Sequence, residues 1–278
     1  MIDTAFEYVV PTSTAEAAQM LSTAGAAALA GGQSLLTEMK LGEQSPSLLV
    51  DLHGISALRG IAEQPGRPAR IGAMATLTDV GRSRSVPAAL ARIAGSLADP
   101  AVRNRATVGG NLARSDHGAD LPPVLMALGA TVNVLVGDAE VAIPAGDFPG
   151  PPDGGPAVIV TSVDVPRLGD GERLEAMSFS ARPSQSPVCT VAAWVRQSPD
   201  GTVTACRIAA TTGPGRPTRL TAAEAALTGA PLARAAIKDA CVRVDAGDFT
   251  GGLTVSGAFR AHLAGVLAGR ILRQMAER

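Results

Sequence analysis

Short apolar runs, separated by helical and glycine-containing stretches, fill the first 55 positions of the chain. Three of these runs have the length and composition of buried strands, at positions 6–10, 26–30 and 48–52. Ser13 stands three positions before Glu16 at the start of an alanine-rich stretch, which predicts a capping box and a helix. A shorter helix is predicted over 35–41, where Gly42 ends it. This order of strands and helices predicts a small α/β unit.

The stretch from 56 to 172 mixes strand and helix patterns and predicts a second unit of the α+β type. Strand patterns occur at 58–62, 69–72, 131–136 and 158–165, and helical patterns at 77–82 and 86–97. A further helix is expected after Asp120, because two prolines fall in its first turn, and it ends at Gly129. The loop at 146–156 is rich in Pro and Gly, so we expect it to be exposed.

The last hundred positions predict a third unit, in which a strand pair is followed by helices. The strands are expected at 188–196 and 202–211, joined by a Pro-Asp-Gly turn, and the helices at 219–227 and 234–244. The final helix has an apolar stripe that we interpret as core packing, formed by Val255, Phe259, Leu263, Val266, Leu267 and Ile271. The expected domains are 1–55, 56–172 and 173–278.

Composition excludes several classes of protein. The 278 residues have a formal net charge of -1 and no basic cluster, which argues against nucleic-acid binding. No run of eighteen apolar residues predicts a membrane span. The first residues are acidic and lack a basic segment, so no signal peptide is expected. Charged residues form 18% of the chain, a low share that suggests contact with partner proteins.

Cysteine and histidine are too scattered to predict a metal site. Cys189, Cys206 and Cys241 form no CxxC pair, which indicates a reduced, cytoplasmic protein. An iron–sulfur cluster usually takes four cysteine ligands, so we expect this chain to hold none by itself.

The sequence AGGQSL at 30–35 joins a predicted buried strand to a helix start. Glycines at such a turn allow successive N–H groups to point at one spot, and this arrangement attracts phosphate. Ser34 adds a hydroxyl donor. The pattern is neither GxGxxG nor a P-loop, and a plain tight turn is the alternative interpretation.

A second glycine pair occurs in the sequence ATVGGNL at 106–112, where Thr107 and Asn111 supply hydrogen-bonding groups. Its alternatives are a second phosphate nest and a packing turn between two closely approaching elements. Two nests would suit a ligand with two phosphates, such as FAD or another nucleotide. Asp120 also has two interpretations, as a helix cap or as a carboxylate that accepts hydrogen bonds from a ligand.

Both glycine segments resemble motifs of one known family. The sequence AGGQSLL at 30–36, followed by Met-Lys-Leu at 39–41, resembles the first FAD motif of the flavin subunit of the molybdenum hydroxylases. Positions 102–112 together with 119–125 resemble the second motif, and 71–77 a family element between them. Positions 215–224 and 256–272 resemble parts of the family's C-terminal domain, so the resemblance extends over nearly the whole chain.

This resemblance implies an α+β fold with a two-subdomain FAD-binding part (PCMH/VAO-like), followed by a C-terminal domain with a short antiparallel sheet and helices. FAD would lie between the first two subdomains. The resemblance implies that the cofactor is held by Ala30, Gly31, Gly32, Gln33, Ser34, Leu35, Thr107, Gly110, Asn111 and Asp120. It assigns no catalytic residue and no metal ligand.

The same resemblance implies an electron-transfer subunit with two partners. A molybdopterin-binding large subunit would hydroxylate the substrate, and an iron–sulfur small subunit would pass electrons to FAD, from which they reach an external acceptor. The sequence contains no evident acid/base pair or nucleophile, which agrees with this role.

The chain departs from the family near the start of the C-terminal domain. The family commonly has a Lys after an aromatic residue there, whereas this chain has Phe179 followed by Ser180, Ala181 and Arg182. Tyr8 is the sole tyrosine, so the tyrosine often found near the flavin is missing as well. Two alternatives remain open: a stand-alone FAD-dependent oxidoreductase without molybdenum partners, and a binding module that keeps the fold without the cofactor.

Overall fold

A computed structural model describes residues 2, 5–63, 66–113, 120–150, 158–182, 187–213, 216–252 and 255–277. Three separate β-sheets organise this part of the chain, and each takes its strands from one stretch of sequence. Ala119 and Gly215 of the predicted motifs, and positions 151–156 of the loop expected to be exposed, lie outside the described residues.

The first sheet has three parallel strands in the order β1-β3-β2 and belongs to the predicted α/β unit. Its elements are β1 (Glu7–Val9), α1 (Thr14–Leu21), β2 (Ala26–Leu29), α2 (Leu35–Leu41) and β3 (Leu48–Asp51). Ser13 caps α1 by accepting a hydrogen bond from the Glu16 N–H. The Glu16 carboxylate accepts from the Thr12 N–H instead of the Ser13 N–H, so the predicted capping box is wrong in its second half.

The second sheet has five antiparallel strands in the order β4-β5-β8-β6-β7. They are β4 (Ile61–Ala62), β5 (Ala69–Gly72), β6 (Thr131–Val136), β7 (Ala139–Pro144) and β8 (Val158–Val165). The helices of this unit are α3 (Leu77–Arg82), α4 (Ala88–Ser96), α5 (Pro100–Arg103), α6 (Val108–Ala113) and α7 (Leu121–Leu128). The apolar pattern does not reveal β7, because this strand lies at the sheet edge and is mostly exposed.

The third sheet is antiparallel in the order β12-β11-β10-β9. It contains β9 (Glu172–Phe179), β10 (Cys189–Gln197), β11 (Val203–Ala210) and β12 (Thr218–Arg219). The helices α8 (Thr221–Leu227), α9 (Arg234–Val242) and α10 (Gly257–Ala276) follow it. The predicted strand pair and helices are therefore present. The apolar pattern of the sequence does not predict β9 as a strand.

Helix α7 lies between the second and third sheets, and most of its side chains are buried there.

The apolar stripe of α10 enters a separate C-terminal core at Leu263, Leu267 and Ile271. Phe259 is 48% exposed, so its predicted core position is wrong, because the stripe meets that core only beyond the first turn. Within the described ranges, no helix combines the length and apolarity that a membrane crossing requires.

Candidate functional site

The two glycine segments meet in space. A Cβ atom built on Gly31 would overlap the Arg105 carbonyl oxygen and lie 2.9 Å from the Ala106 Cα, so only glycine allows this approach. A cavity of about 420 Å³ opens beside this contact, which is within the usual size range of a ligand pocket. The central geometric expectation, that both segments face one site, is confirmed.

The first segment forms a nest of main-chain amides on the cavity wall. Gly32 has a φ of 73°, a left-handed conformation that favours glycine. The N–H groups of Gly32, Gln33 and Leu35 donate no backbone hydrogen bond to any residue in the described ranges. The side-chain Nε2 of Gln33 donates to the Gly31 carbonyl oxygen at 3.3 Å and holds the loop in shape. Several donors therefore remain available to an anion in the cavity.

The second segment is a helix start and not a second nest, so of its two alternatives the structure supports close packing between two elements. Gly109 and Gly110 lie in the first turn of α6 with ordinary negative φ angles. The N–H groups of Val108, Gly109 and Asn111 donate hydrogen bonds of 2.8–3.0 Å. Their acceptors are the carbonyl oxygens of Ala75, Ala73 and Thr107, in that order. The first two bonds attach the start of α6 to the segment that follows β5, and all three make these main-chain amides unavailable to a ligand.

The glycines of α6 have different roles. A Cβ on Gly109 would lie 2.8 Å from that of Ala73, so this glycine permits close packing. Gly110 lines the cavity, and its N–H donates to the Thr107 hydroxyl oxygen at 3.2 Å. A Cβ on Gly110 would extend to within 4.0 Å of the Ala30 Cβ and narrow the gap between the two segments.

A strained residue completes the wall. Ala98 has a φ of 47°, a left-handed conformation that costs a non-glycine residue about 1–2 kcal/mol. Arg103 donates to the carbonyl oxygens of Leu97 and Ala98 at 2.9 and 2.6 Å, which holds the turn in place. Backbone strain of this kind is often found at functional sites. The sequence contains no signal for it, since alanine there looks unremarkable as a helix end.

Asp120 does not line this cavity, although Asn111, which is hydrogen-bonded to the residue after Asp120, does. Its side chain makes no capping bond to α7; it accepts hydrogen bonds from the hydroxyls of Ser178, at 2.9 Å, and Thr190. The residue is 2% exposed, and this burial raises the pKa of the carboxyl to about 6. Asn111, which lines the cavity, accepts from the Leu121 N–H at 3.3 Å and so joins the wall to the start of α7.

The other nine predicted residues line the cavity, namely Ala30, Gly31, Gly32, Gln33, Ser34, Leu35, Thr107, Gly110 and Asn111. The motifs did not point to five further lining residues: Ala28, Glu38, Leu97, Ala98 and Ala113. Among the described lining residues, Glu38 is the only titratable one. No cluster of three metal-ligating side chains is found among the residues that the structure places. The lining therefore suits binding more than acid/base chemistry.

These features fit a dinucleotide cofactor. Available amides on one glycine loop supply donors for a diphosphate, and the glycine contact at Gly31 keeps the loop against the second segment. Apolar side chains of Leu77, Leu97 and Val102 complete the wall and can contact rings.

Comparisons with known proteins agree with this geometry. Residues 4–168 match the family described as FAD binding domain in molybdopterin dehydrogenase, and residues 178–275 the CO dehydrogenase flavoprotein C-terminal domain. The carbon monoxide dehydrogenase medium chain of Hydrogenophaga pseudoflava is 40% identical over 153 residues, 53% of this chain and 53% of that relative. The match thus spans about half the length of that relative. The nicotine 6-hydroxylase medium subunit of Paenarthrobacter nicotinovorans is 33% identical over 82% of both chains.

Solved structures show the same architecture along the whole chain. A CO dehydrogenase structure from Oligotropha carboxidovorans superposes with a TM-score of 0.91, 26% identity and full coverage of both chains. One from Hydrogenophaga pseudoflava gives a TM-score of 0.87 at 32% identity, covering 97% of this chain and 96% of that one. The predicted α+β fold class is confirmed. The chain belongs to the family of FAD-binding medium subunits of the molybdenum hydroxylases.

Proposed function

We propose that this chain is the FAD-binding electron-transfer subunit of a multi-subunit molybdenum hydroxylase. The observation that most supports it is the nest formed by the amides of Gly32, Gln33 and Leu35, which lies within the part of the chain that matches the FAD-binding domain. FAD, when bound, accepts and releases electrons, while the protein positions it and tunes its potential. The absence of an acid/base pair among the described cavity residues agrees with a role in which the substrate reacts on another chain.

The cofactor site that we propose has two walls. The amides at 31–35 hold the pyrophosphate, and Ala30 supports the loop from the end of β2. Thr107, Gly110 and Asn111 of the second wall contact the rest of the cofactor. Asp120, whose carboxylate accepts hydrogen bonds from Ser178 and Thr190 of the third sheet, completes the proposed set of cofactor residues.

Partners, location and domain limits are part of the same proposal. The named relatives are medium chains or subunits, which supports a large molybdopterin-binding partner and a small iron–sulfur partner. Cys189, Cys206 and Cys241 are free thiols, which supports a reduced, cytoplasmic setting. The division into 1–55, 56–172 and 173–278 is supported by the three separate sheets.

Purification from the native host tests this function. The tagged full-length chain is isolated under mild conditions, and companion polypeptides, molybdenum, iron and FAD are quantified. We expect two companion chains, with molybdenum and iron present together with FAD. A lone chain whose bound FAD is bleached by an organic substrate would contradict the proposal and favour the stand-alone oxidoreductase. A colourless chain that cannot be reconstituted with FAD would favour the cofactor-free binding module.

A further inference from the structure

A second cavity, of about 660 Å³, lies between the unit of the second sheet and that of the third. One side is formed by residues at the end of α7 and at 144–147, and the other mainly by Arg207 of β11 and residues at 216–219. This volume is within the usual range for a ligand pocket, and such pockets are common at domain interfaces. None of the described residues that line it also lines the cofactor cavity, so it is a separate candidate site.

Three arginines line this second cavity, which we call the arginine cavity: Arg207, Arg216 and Arg219. Arg219 forms an ion pair with Glu224, in which both N–O distances are 2.5 Å. Within the described ranges, Arg207 and Arg216 form no ion pair with a carboxylate. Burial lowers the pKa of Arg207 and the charge of Arg219 lowers it further, while Glu172 and Glu224 act in the opposite direction. Two guanidinium groups are therefore close enough to repel each other, and an anion in the cavity would relieve that repulsion.

Hydrogen bonds hold these arginine side chains in place without using all of their donors. A guanidinium carries five N–H groups. Arg207 uses Nε and Nη2 on the last two carbonyl oxygens of α7, at 2.6 and 2.9 Å. Arg216 uses Nη2 on the Gly146 carbonyl oxygen at 2.5 Å, and Arg219 uses Nε and Nη2 for its ion pair. The Nη1 groups of all three arginines and the Gly146 N–H donate to no described residue, so these donors remain available to a ligand.

Two carboxylates on the same wall limit its positive charge. Asp147 and Asp248 line the arginine cavity, and neither forms an ion pair with an arginine that the structure places. Both are exposed, so water and salt screen their charges more than that of the half-buried Arg207. They weaken the attraction of an anion without cancelling it. Removal of one of these carboxylates should therefore tighten anion binding.

The arrangement of donors suits phosphate better than carboxylate. One guanidinium binds one carboxylate through two parallel hydrogen bonds, as Arg219 binds Glu224. A phosphate monoester has three terminal oxygens and a charge of about -2 at neutral pH, so it can accept from more than one arginine at once. Thr212 and Thr218, on the same wall, supply hydroxyl groups.

We propose that the arginine cavity binds the phosphate group of a small molecule, with Arg207 and Arg216 as its main donors. The site is separate from the proposed cofactor site and does not depend on FAD. Both arginines belong to the C-terminal part of the chain, while their acceptors lie on α7 and at Gly146. A phosphate that contacts both arginines would therefore strengthen the attachment of the third sheet to the unit before it.

Fluorescence of the FAD-free, full-length chain tests this proposal. Trp194 is the sole tryptophan, and its ring centre lies 3.8 Å from the Arg207 guanidinium carbon, so its emission reports on the proposed site. Sodium phosphate is titrated against sodium chloride at equal ionic strength. We expect a saturable change in Trp194 emission with phosphate alone, with half-saturation on the order of 1 mM. The unfolding midpoint should rise over the same range of phosphate concentration.

Three variants locate the response. Arg216→Gln should weaken phosphate binding about tenfold, because it removes a charged donor, and this residue is exposed enough for the fold to survive its loss. Arg243→Gln is the matched control, since it removes the same charge from an exposed arginine that pairs with Asp239 outside the cavity; binding should stay within about twofold. Asp147→Asn should tighten phosphate binding about twofold, because it removes a like charge from the wall.

A nucleotide titration identifies the source of the phosphate. AMP and adenosine are titrated separately into Ala30→Leu, a variant in which the cofactor cavity is narrowed. A Trp194 response to AMP at lower concentrations than to inorganic phosphate, without a response to adenosine, identifies a nucleotide as the kind of ligand. A response to AMP that is no stronger than the response to inorganic phosphate identifies free phosphate. An equal response to adenosine and AMP would contradict recognition of the phosphate group.

Three further results would overturn the proposal. One is the lack of a saturable Trp194 response to phosphate, and another is equal weakening by Arg216→Gln and Arg243→Gln. The third is a phosphate response that is lost in Ala30→Leu but kept in Arg216→Gln, which would assign the phosphate to the cofactor cavity. FAD affinity of Arg216→Gln should stay within about twofold of the unaltered chain. Failure of this proposal would therefore leave the proposed function unaffected.

Discussion

Replacing Asp120 with Asn should make the stability of the protein less dependent on pH. The substitution keeps the shape of the side chain and its capacity to accept a hydrogen bond, but removes the charge. Burial raises the pKa of the Asp120 carboxyl from an ordinary 3.8 to about 6. The folded state therefore binds the proton more tightly than the unfolded state does.

The sign and size of the effect follow from this difference. Because the folded-state pKa is raised, the stabilising contribution of Asp120 is fully present below pH 3.8 and is lost as pH rises through about 6. The separation of the two pKa values corresponds to about 3 kcal/mol at neutral pH. Relative to the unaltered chain, Asp120→Asn should gain about 2 kcal/mol between pH 4 and pH 8, because the unfolded carboxyl is already partly ionised at pH 4.

Urea unfolding at several pH values measures this gain. Trp194 is the sole tryptophan, is 5% exposed, and lies in the same strand as Thr190, so its fluorescence reports on the sheet that Asp120 contacts. Asp200→Asn is the control, since hydrogen bonds from Ser198 and Thr202 lower the pKa of that exposed carboxyl. Its contribution to stability is present at high pH and lost on acidification, the opposite direction. If the difference between Asp120→Asn and the unaltered chain stays constant from pH 4 to 8, the reasoning is refuted.

Three further substitutions test packing, two of them on the cavity wall and one in the C-terminal domain. Ala98→Gly should raise the free energy of unfolding by about 1 kcal/mol, because it relieves a left-handed alanine, and a lower midpoint in thermal scanning would contradict this. Gly31→Ala should lower it by about 1–3 kcal/mol, because the new Cβ overlaps the Arg105 carbonyl oxygen; unchanged urea unfolding would show that the loops move apart freely. Glu224→Ala should lower it by about 3–5 kcal/mol, because it strands the buried Ile208 N–H, which now donates to Glu224 at 2.7 Å, and removes the carboxylate that pairs with Arg219; a loss below 1 kcal/mol by calorimetry would contradict this.

Local rules of sequence predicted much of the fold. Gly42 and Gly129 end α2 and α7 in left-handed conformations, as expected for glycine at helix ends. The Pro-Asp-Gly turn joins two strands of the third sheet, with Gly201 at a φ of 83°. These features depend on neighbouring residues alone, which is why they are visible in the sequence.

Features that depend on tertiary contacts were not visible. The glycine pair at 109–110 looks like a turn, but bonds to Ala73 and Ala75 hold it as the start of a helix. Asp120 looks like a helix cap in the sequence, but its carboxylate accepts hydrogen bonds from the hydroxyls of Ser178 and Thr190, which are 58 and 70 positions away. The convergence of the two glycine segments was predicted through family resemblance, since spacing alone does not determine which segments meet.

A titration of FAD into the FAD-free chain tests the central claim, that the cavity between the two glycine segments holds the cofactor. Ala30 lines this cavity at the end of β2, so Ala30→Leu places a larger side chain between the segments. Ala142→Leu, on the exposed edge strand β7, is the matched control. We expect Ala30→Leu to weaken FAD binding by about a hundredfold or more, while Ala142→Leu binds normally and both unfold near the midpoint of the unaltered chain. Unchanged FAD affinity in a folded Ala30→Leu protein would contradict the account.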